Sequence, residues 1–446
     1  MTFKFAPAFC LMLFAGCSSL SVPAKNESHP RAVQIEGAHG EISRRESKAL
    51  LARAKNGSEP TGIFERHLAQ IQRIAGSPLT TGNKVTLLMD GPSTYKSMYA
   101  AIMDARDHIN METYSIEADE VGRRFVDALI AKQKHGVQVN LIYDSVGSGN
   151  TPAEFFQPLI DSGAKVLEFN PLNPLVLRKK WEAGRDHRKL LIVDGEVAFN
   201  GGVGIADAWE GNGMQPDRWR DMQFRVEGPA AAQMQAIFGD NWLATTGEAL
   251  LGPDYYPETP ARGDLAVQAF ASSPDGGSEN MQLMYLMAIN GARRRIDLEA
   301  AYFVPDELTL TALRDAMKRG VRVRLVVPGP HVDSKVVRNA SQAQWGAMLQ
   351  AGARMYRYQP ALFHNKLMIV DGYLTIGGSA NFDNRSFQLN DESNINIYDR
   401  AFAAHMTEVI DQDIARSHEL TLSQWRERPW RQRVFDWLSS QAAEQL

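Results

Sequence analysis

The chain has 446 residues, of which 44% are hydrophobic, enough for two domains that each bury a core. Its formal net charge of -4 argues against a nucleic-acid partner, because such proteins usually carry a strongly basic surface. The two cysteines, Cys10 and Cys17, both lie near the N-terminus, so no disulfide framework is expected.

Residues 1–19 are predicted to form a leader, with Lys4 before an apolar stretch that is too short to span a bilayer. Residues 13–17 resemble a bacterial lipoprotein signal, except that Phe14 stands where Leu is usual. The resemblance implies cleavage before Cys17, lipidation of that cysteine, and a membrane-anchored protein of the bacterial cell envelope that faces the periplasm. An ordinary secretory signal and an uncleaved anchor remain alternatives.

Residues 20–80 are predicted to form a linker and an N-terminal helical region. After that the chain alternates short apolar runs with longer amphipathic ones, which indicates the α/β class. Segments of residues 81–250 recur in residues 251–446; for example, Ile109-Asn110-Met111-Glu112 corresponds to Ile296-Asp297-Leu298-Glu299. The sequence therefore predicts two duplicated α/β domains with these boundaries, the second ending in a helical tail.

A short pattern, H-x-K-x-x-x-x-D, occurs once in each half. Its members are His187, Lys189 and Asp194 in the first half, and His364, Lys366 and Asp371 in the second. In each copy four apolar residues separate the Lys from an Asp-Gly pair, which predicts a buried strand followed by a hairpin turn. On an extended backbone the His and the Lys point to the same face, so the two copies together would present two imidazoles and two ammonium groups to one pocket.

This set of side chains suits displacement at a phosphodiester. The lysines can neutralise the phosphate oxygens, one His can attack phosphorus, and the other can protonate the leaving alkoxide. No zinc-type or clustered-carboxylate pattern occurs in the sequence, so no metal and no cofactor are expected.

Two further segments attract attention. Pro171 and Pro360 are 189 residues apart, whereas the motif histidines are 177 apart, so the first half carries 12 extra residues within positions 172–186. This insertion is interpreted either as a membrane-interface element or as a solvated loop. The Trp- and Arg-rich residues 425–438 are interpreted either as a headgroup-contacting segment or as a terminal helix that packs on the body.

The doubled motif resembles the signature of the phospholipase D superfamily, over most of the chain after residue 80. Residues 219–229 and 379–394, which follow the motifs, resemble more narrowly the bacterial cardiolipin synthase branch. The resemblance implies two domains with mixed sheets flanked by helices, packed with pseudo-two-fold symmetry around one active site. It also implies an acid that orients each catalytic His from the other half, at Asp221 and Glu392.

The resemblance further implies substrate contacts at Gly202, Ser379 and Asn381. The family usually has Asn three residues after the first Gly of the turn that follows each motif. The second copy keeps it as Asn381, whereas the first copy has Gly204.

The function implied is that of a phosphatidyltransferase of cardiolipin synthase type, which converts two phosphatidylglycerols to cardiolipin and glycerol through a phosphohistidine. Phospholipid substrates and a membrane surface are the expected partners, and the oligomeric state is not predicted. A hydrolase that releases phosphatidic acid and a non-catalytic, phosphate-binding surface lipoprotein remain alternatives, since the motifs do not distinguish them.

Overall fold

The structure, a computed structural model, describes residues 35–37, 40–43, 45–47, 49, 76–171, 184–273 and 280–441. The described residues all belong to one compact unit. The predicted leader with Cys17, most of the predicted N-terminal helical region, and residues 172–183 of the predicted insertion lie outside the described residues.

The first half of the chain contains a seven-stranded mixed sheet. Its strands have the order β3-β9-β8-β7-β4-β5-β6, in which only the β4–β5 and β5–β6 pairs are parallel. The elements are β1 (Ile35–Gly37), β2 (Gly40–Glu41), β3 (Leu79–Leu88), α1 (Gly91–Asp104), β4 (His108–Thr113), α2 (Glu120–Lys134), β5 (Gln138–Asp144), α3 (Gln157–Asp161), β6 (Lys165–Phe169), β7 (Lys189–Val193), β8 (Val197–Gly201), β9 (Gln223–Glu227) and α4 (Ala230–Thr246).

The second half repeats this sheet in the order β10-β18-β16-β15-β11-β13-β14, and adds β19 beyond β14. The elements are β10 (Leu265–Ser272), α5 (Asn280–Gly291), β11 (Arg295–Ala300), β12 (Phe303–Val304), α6 (Glu307–Lys318), β13 (Arg322–Pro328), α7 (Lys335–Ala351), β14 (Arg354–Tyr358), β15 (Lys366–Val370), β16 (Leu374–Gly378), β17 (Phe382–Asp383), α8 (Asn384–Gln388), β18 (Glu392–Tyr398), α9 (Arg400–Ala415), β19 (Ser417–Leu420), α10 (Leu422–Arg426) and α11 (Trp430–Ser440).

The two sheets are joined edge to edge, because β3 and β10 pair antiparallel with one irregularity in register. The predicted boundary near residue 250 falls between the end of α4 and the start of β10. The predicted α/β architecture with two duplicated, mixed, helix-flanked sheets is thereby confirmed.

Each motif forms the predicted buried strand and hairpin. Every residue of β7 and of β15 is buried. In the first turn the Glu196 N–H donates to the Val193 carbonyl at 3.1 Å, and Asp194 and Gly195 between them have φ values of 52° and 65°. Two central residues with positive φ are typical of the type I′ turn, whose twist matches that of the flanking strands.

Three buried apolar clusters hold the layers together. One packs helices of the first half on its sheet, around Phe125 and Leu141, and one does the same in the second half, around Tyr285 and Leu325. The third combines residues of both halves, including Phe224 and Ile395. The inner faces of the two sheets therefore share one core, which fixes the halves against each other at the motif strands.

Candidate active site

Backbone hydrogen bonds between the halves hold each motif histidine next to the acid of the other half. The His187 N–H donates to the carbonyl of Asp391 at 3.0 Å, one residue before Glu392. The His364 N–H donates to the carbonyl of Arg220 at 2.8 Å, one residue before Asp221. These two equivalent bridges between the halves explain how residues 205 and 143 positions apart meet in one site.

The first pair consists of His187 and Glu392. His187 Nδ1 lies 2.9 Å from one carboxylate oxygen of Glu392 and 3.1 Å from the other. Two hydroxyls also donate to this carboxylate, from Ser379 and, at 2.6 Å, from Ser386. Because the carboxylate engages Nδ1, it holds the proton there and leaves Nε2 as the ring nitrogen available for chemistry.

The second pair consists of His364 and Asp221, with Nδ1 of the imidazole 2.6 Å from the carboxylate Oδ2. The Trp209 indole N–H donates to the same oxygen at 3.0 Å, and the Met222 N–H donates to Oδ1 at 2.9 Å. Asp221 and Glu392, the predicted partners, therefore each contact the motif histidine of the other half.

The replacement of Asn by Gly204 has a physical reason in the neighbouring indole. A Cβ at Gly204 would lie 2.8 Å from the ring of Trp209, so the indole fills the space that a side chain there would need. The equivalent of Trp209 in the second half, 177 residues later, is Ser386, a smaller donor that leaves room for Asn381. The Asn-to-Gly change at position 204 therefore accompanies a change in the hydrogen-bond donor to the acid, which is the Trp209 indole in the first half and the Ser386 hydroxyl in the second.

Gly202 and Ser379, which were expected to contact the substrate, lie against the two acids. A Cβ on Gly202 would stand 2.2 Å from Asp221 Oδ1, so this position must lack a side chain for the carboxylate to fit. Ser379 is fully buried and donates to Glu392. Asn381, in contrast, lines the cavity, and its amide oxygen has no hydrogen-bond partner among the described residues.

The motif aspartates also differ from their expected catalytic role. Asp194 accepts the backbone N–H groups of residues 106–108 at 2.9 to 3.0 Å, and Asp371 accepts those of residues 293–295 at 2.7 to 2.8 Å. A strand advances about 3.3 Å per residue, which places each Asp roughly 16 Å along its strand from the motif Lys. The aspartates fasten the entry of the neighbouring strand and do not reach the reacting atoms.

The motif lysines are buried beside the imidazoles. Lys189 Nζ donates to the His187 carbonyl at 2.7 Å, and Lys366 Nζ makes the same contact with the His364 carbonyl at 2.7 Å. Lys366 Nζ also lies 3.0 Å from His364 Nε2. Since an ammonium group has three donors, each lysine keeps donors for an anionic ligand.

A cavity of about 1050 Å³ opens at this site and contains side chains of both halves. Both histidines and Lys189 line it, together with Asn381 and the buried Arg185. Aromatic rings complete the walls: Tyr114 packs edge-on against His187 and Tyr302 edge-on against His364, while Trp219 lies 5.0 Å from His364 between ring centres. A cationic centre with aromatic walls suits an amphiphilic phosphodiester.

Burial sets the protonation of the site. It lowers the pKa of His187 to about 4, although the nearby Glu392 carboxylate acts in the opposite direction. Burial and the charge of Lys366 also lower the pKa of His364. Burial lowers the pKa of Lys189 to about 7 and that of Lys366 to about 8. Both imidazoles are therefore neutral near pH 7 in the empty site, as a nucleophile must be.

The acids remain ionised. Burial alone would raise the pKa of Glu392 and of Asp221, but the adjacent histidine and lysine charges outweigh it, and both pKa values lie below the ordinary range. Across the described ranges, no group of three or more His, Cys, Asp and Glu side chains has the arrangement of a metal site.

Several site residues were missed in the sequence. Trp209 and Ser386 bind the acids, and Tyr114 and Tyr302 pack on the histidines. The spacing of 177 residues between Trp209 and Ser386, equal to that between the motifs, was a signal for the first pair. It was obscured because an indole and a hydroxyl do not look alike in sequence.

Comparison with known proteins agrees with this geometry. The family model described as "Cardiolipin synthase, PLD-like domain" matches residues 98–242 and 285–414. Cardiolipin synthase A of Pseudomonas putida strain GB-1 is 35% identical over 367 residues, which cover 81% of this chain and 74% of that protein. Cardiolipin synthase of Geobacillus kaustophilus strain HTA426 is 34% identical over 383 residues, covering 85% and 76%.

Among solved structures, phosphatidylserine synthase of Haemophilus influenzae Rd KW20 superposes with a TM-score of 0.65 at 13% identity. The match covers 84% of this chain and 98% of that one. At this level of identity the likeness concerns the fold, with its two halves in a single chain.

Proposed function

The chain belongs to the family of cardiolipin synthases with phospholipase D-like domains and is a phosphatidyltransferase of that type, and we propose that it works through a phosphohistidine. Phosphatidylglycerol is the proposed donor and acceptor, with cardiolipin and glycerol as products. The proposal rests on two buried His–carboxylate pairs at one cavity. In each pair the His and the acid come from different halves of the chain.

In the first step, Nε2 of His187 attacks phosphorus and the bond from phosphorus to the glycerol oxygen breaks. His364 gives its Nε2 proton to the departing alkoxide, so glycerol leaves and a phosphatidyl group remains on His187. The bound phosphodiester anion raises the pKa of the neighbouring imidazole, because opposite charge favours the protonated form, and this allows His364 to carry the proton.

In the second step, His364 accepts the proton of a hydroxyl on a second phosphatidylglycerol. The hydroxyl oxygen attacks phosphorus, the N–P bond breaks, and His187 returns to its neutral form. The carboxylate of Glu392 stabilises the charge that develops on His187 during each transfer.

The lysines supply the electrostatic part of the mechanism. Lys189 and Lys366 stand beside the two imidazoles and are oriented by their contacts to the motif carbonyls. In a buried site their ammonium groups stabilise the charge on the non-bridging oxygens more strongly than they would in water. Asn381 is the proposed additional contact for a substrate oxygen or hydroxyl.

We also propose that the protein acts at a membrane of the cell envelope. The leader is the basis of this proposal, with Cys17 as a lipid-carrying N-terminus that faces the periplasm. None of the helices in the described part of the chain is sufficiently long and apolar to cross a bilayer.

The experiment is to incubate the purified full-length protein with phosphatidylglycerol and separate the lipids. Cardiolipin and glycerol in equal amounts are expected. Phosphatidic acid in place of cardiolipin would indicate that water is the acceptor and that the protein is a hydrolase. Absence of turnover, with retained binding of a phosphodiester, would overturn the proposal in favour of a binding lipoprotein.

A further inference from the structure

The C-terminal helix α11 packs on the body through its polar side. The Gln432 amide donates to Asn339 and Gln342 of α7, at 3.2 and 3.1 Å. Asp436 is buried, accepts from Gln432 at 2.7 Å, and pairs with Arg428 at 3.0 Å. These polar contacts fix the orientation of the helix around its own axis.

The opposite side of α11 is apolar and exposed. Five side chains form this C-terminal apolar face, with exposed fractions between 45% and 69%: Trp430, Val434, Phe435, Trp437 and Leu438. At 3.6 residues per turn they span an arc of about 160°. A surface helix of a globular protein normally packs its apolar face on the core and exposes its polar face to solvent. Helix α11 does the opposite.

A contiguous apolar patch of this kind marks a surface that meets another apolar phase. Its composition favours the boundary of a bilayer, since Trp is enriched at the headgroup level. Two exposed cations lie on the same helix, Arg431 and Arg433, and the guanidinium of Arg431 is 5.7 Å from the centre of the Trp430 ring. The one acid of α11, Asp436, is neutralised by Arg428 on the packed side, so the outward charge is positive and complements anionic headgroups.

Helix α7 lies between α11 and the catalytic cavity. Asn339, which Gln432 contacts, follows Val337 by two residues, or about 200° around α7, and Val337 lines the cavity. The contact with α11 is therefore on the side of α7 that faces away from the cavity.

We propose that α11 inserts its C-terminal apolar face into the surface of an anionic phospholipid bilayer. The proposal rests on the proposed function for the choice of phospholipid as the occupant. The helix then acts as a peripheral contact that is separate from the predicted lipid anchor at Cys17.

The test compares two triple variants of the full chain, both carrying Cys17→Ser to remove the acyl anchor. One combines Trp430→Ser, Phe435→Ser and Trp437→Ser. The matched control combines Met103→Ser, Leu243→Ser and Leu251→Ser, which also remove exposed apolar side chains but lie outside α11. Binding to phosphatidylglycerol vesicles is measured by sedimentation, and turnover is measured on short-chain phosphatidylglycerol dispersed as monomers.

The α11 variant is expected to bind vesicles about ten-fold more weakly than the control variant. Its turnover of monomeric short-chain phosphatidylglycerol should be unchanged. Equal vesicle binding by the two variants would overturn the proposal. The proposal would also be overturned if the parent protein were a dimer and the α11 variant were a monomer that still bound vesicles. The C-terminal apolar face would then be an interface between two copies of the chain. Vesicle binding that depends on α11, in a protein that does not turn over phosphatidylglycerol, would support this inference while removing the proposed function.

Discussion

Trp209 and Ser386 show how the two halves reached the same result with different residues. Each donates a hydrogen bond to the acid that orients a motif histidine, at 3.0 and 2.6 Å. The indole is larger, and the adjacent position in its half is Gly204 instead of the Asn381 found in the other half. The sequence revealed the exchange at position 204, but its cause is a contact in space that spacing alone does not report.

This coupling predicts a compensating pair of substitutions. Gly204→Asn alone should lower the free energy of unfolding, because its Cβ would clash with Trp209. Adding Trp209→Ser should recover part of the loss, since the pair then matches Asn381 and Ser386. A four-member cycle of denaturant unfolding should give a favourable coupling of about 0.5–3 kcal/mol. Additive effects would contradict the proposed contact.

The lowered lysine pKa values predict an alkaline limit to activity. Lys189 and Lys366 are charged only below about pH 7 and 8 in the free enzyme, so kcat/KM should fall as the pH rises through that range. Lys189→Arg keeps its charge and should move the alkaline fall in kcat/KM toward the pKa of Lys366. Lys84→Arg, at an exposed position of β3, should leave that fall in place. A profile that stays flat to about pH 10, where ordinary lysines titrate, would refute the role of the buried ammonium groups.

At the scale of elements, the motif hairpins were predictable and the orientation of the C-terminal helix was not. Apolar runs closed by Asp-Gly identify β7 and β15 because that dipeptide favours a turn with positive φ. The function of Asp194 and Asp371 in binding strand entries was missed, since a motif residue was expected to act on substrate. Helix α11 was expected either to pack on the body or to meet headgroups, and periodicity could not show that its polar side is the one that packs.

The strand-entry role predicts a loss of stability without a loss of chemistry. Asp371→Ala removes the acceptor for three backbone N–H groups and should lower the free energy of unfolding by about 1–3 kcal/mol. The turnover number of the folded fraction should change little. Asp217→Ala, at an exposed position, is the matched control. A large fall in turnover number at unchanged stability would restore Asp371 to the catalytic machinery.

At the scale of the whole molecule, duplication and exchange together build the site. Each sheet contributes one His and one Lys to the cavity region, yet each His depends on the other sheet for its acid. The repeated segments predicted that two halves exist, because strand and helix patterns recur in register. The pairing of Asp221 and Glu392 with opposite histidines came from the family resemblance, since no local pattern encodes a contact between residues so far apart.

The measurement that tests the account most directly is a search for the covalent adduct, with a phosphatidyl ester of p-nitrophenol as substrate. This leaving group departs without a proton, so His364→Ala should still form the phosphatidyl adduct on His187 and then stall after one equivalent of nitrophenol. His187→Ala should form no adduct, and His405→Ala, at an exposed site, should turn over normally. An adduct or burst in His187→Ala, or none in His364→Ala, would contradict the division of roles between the two histidines.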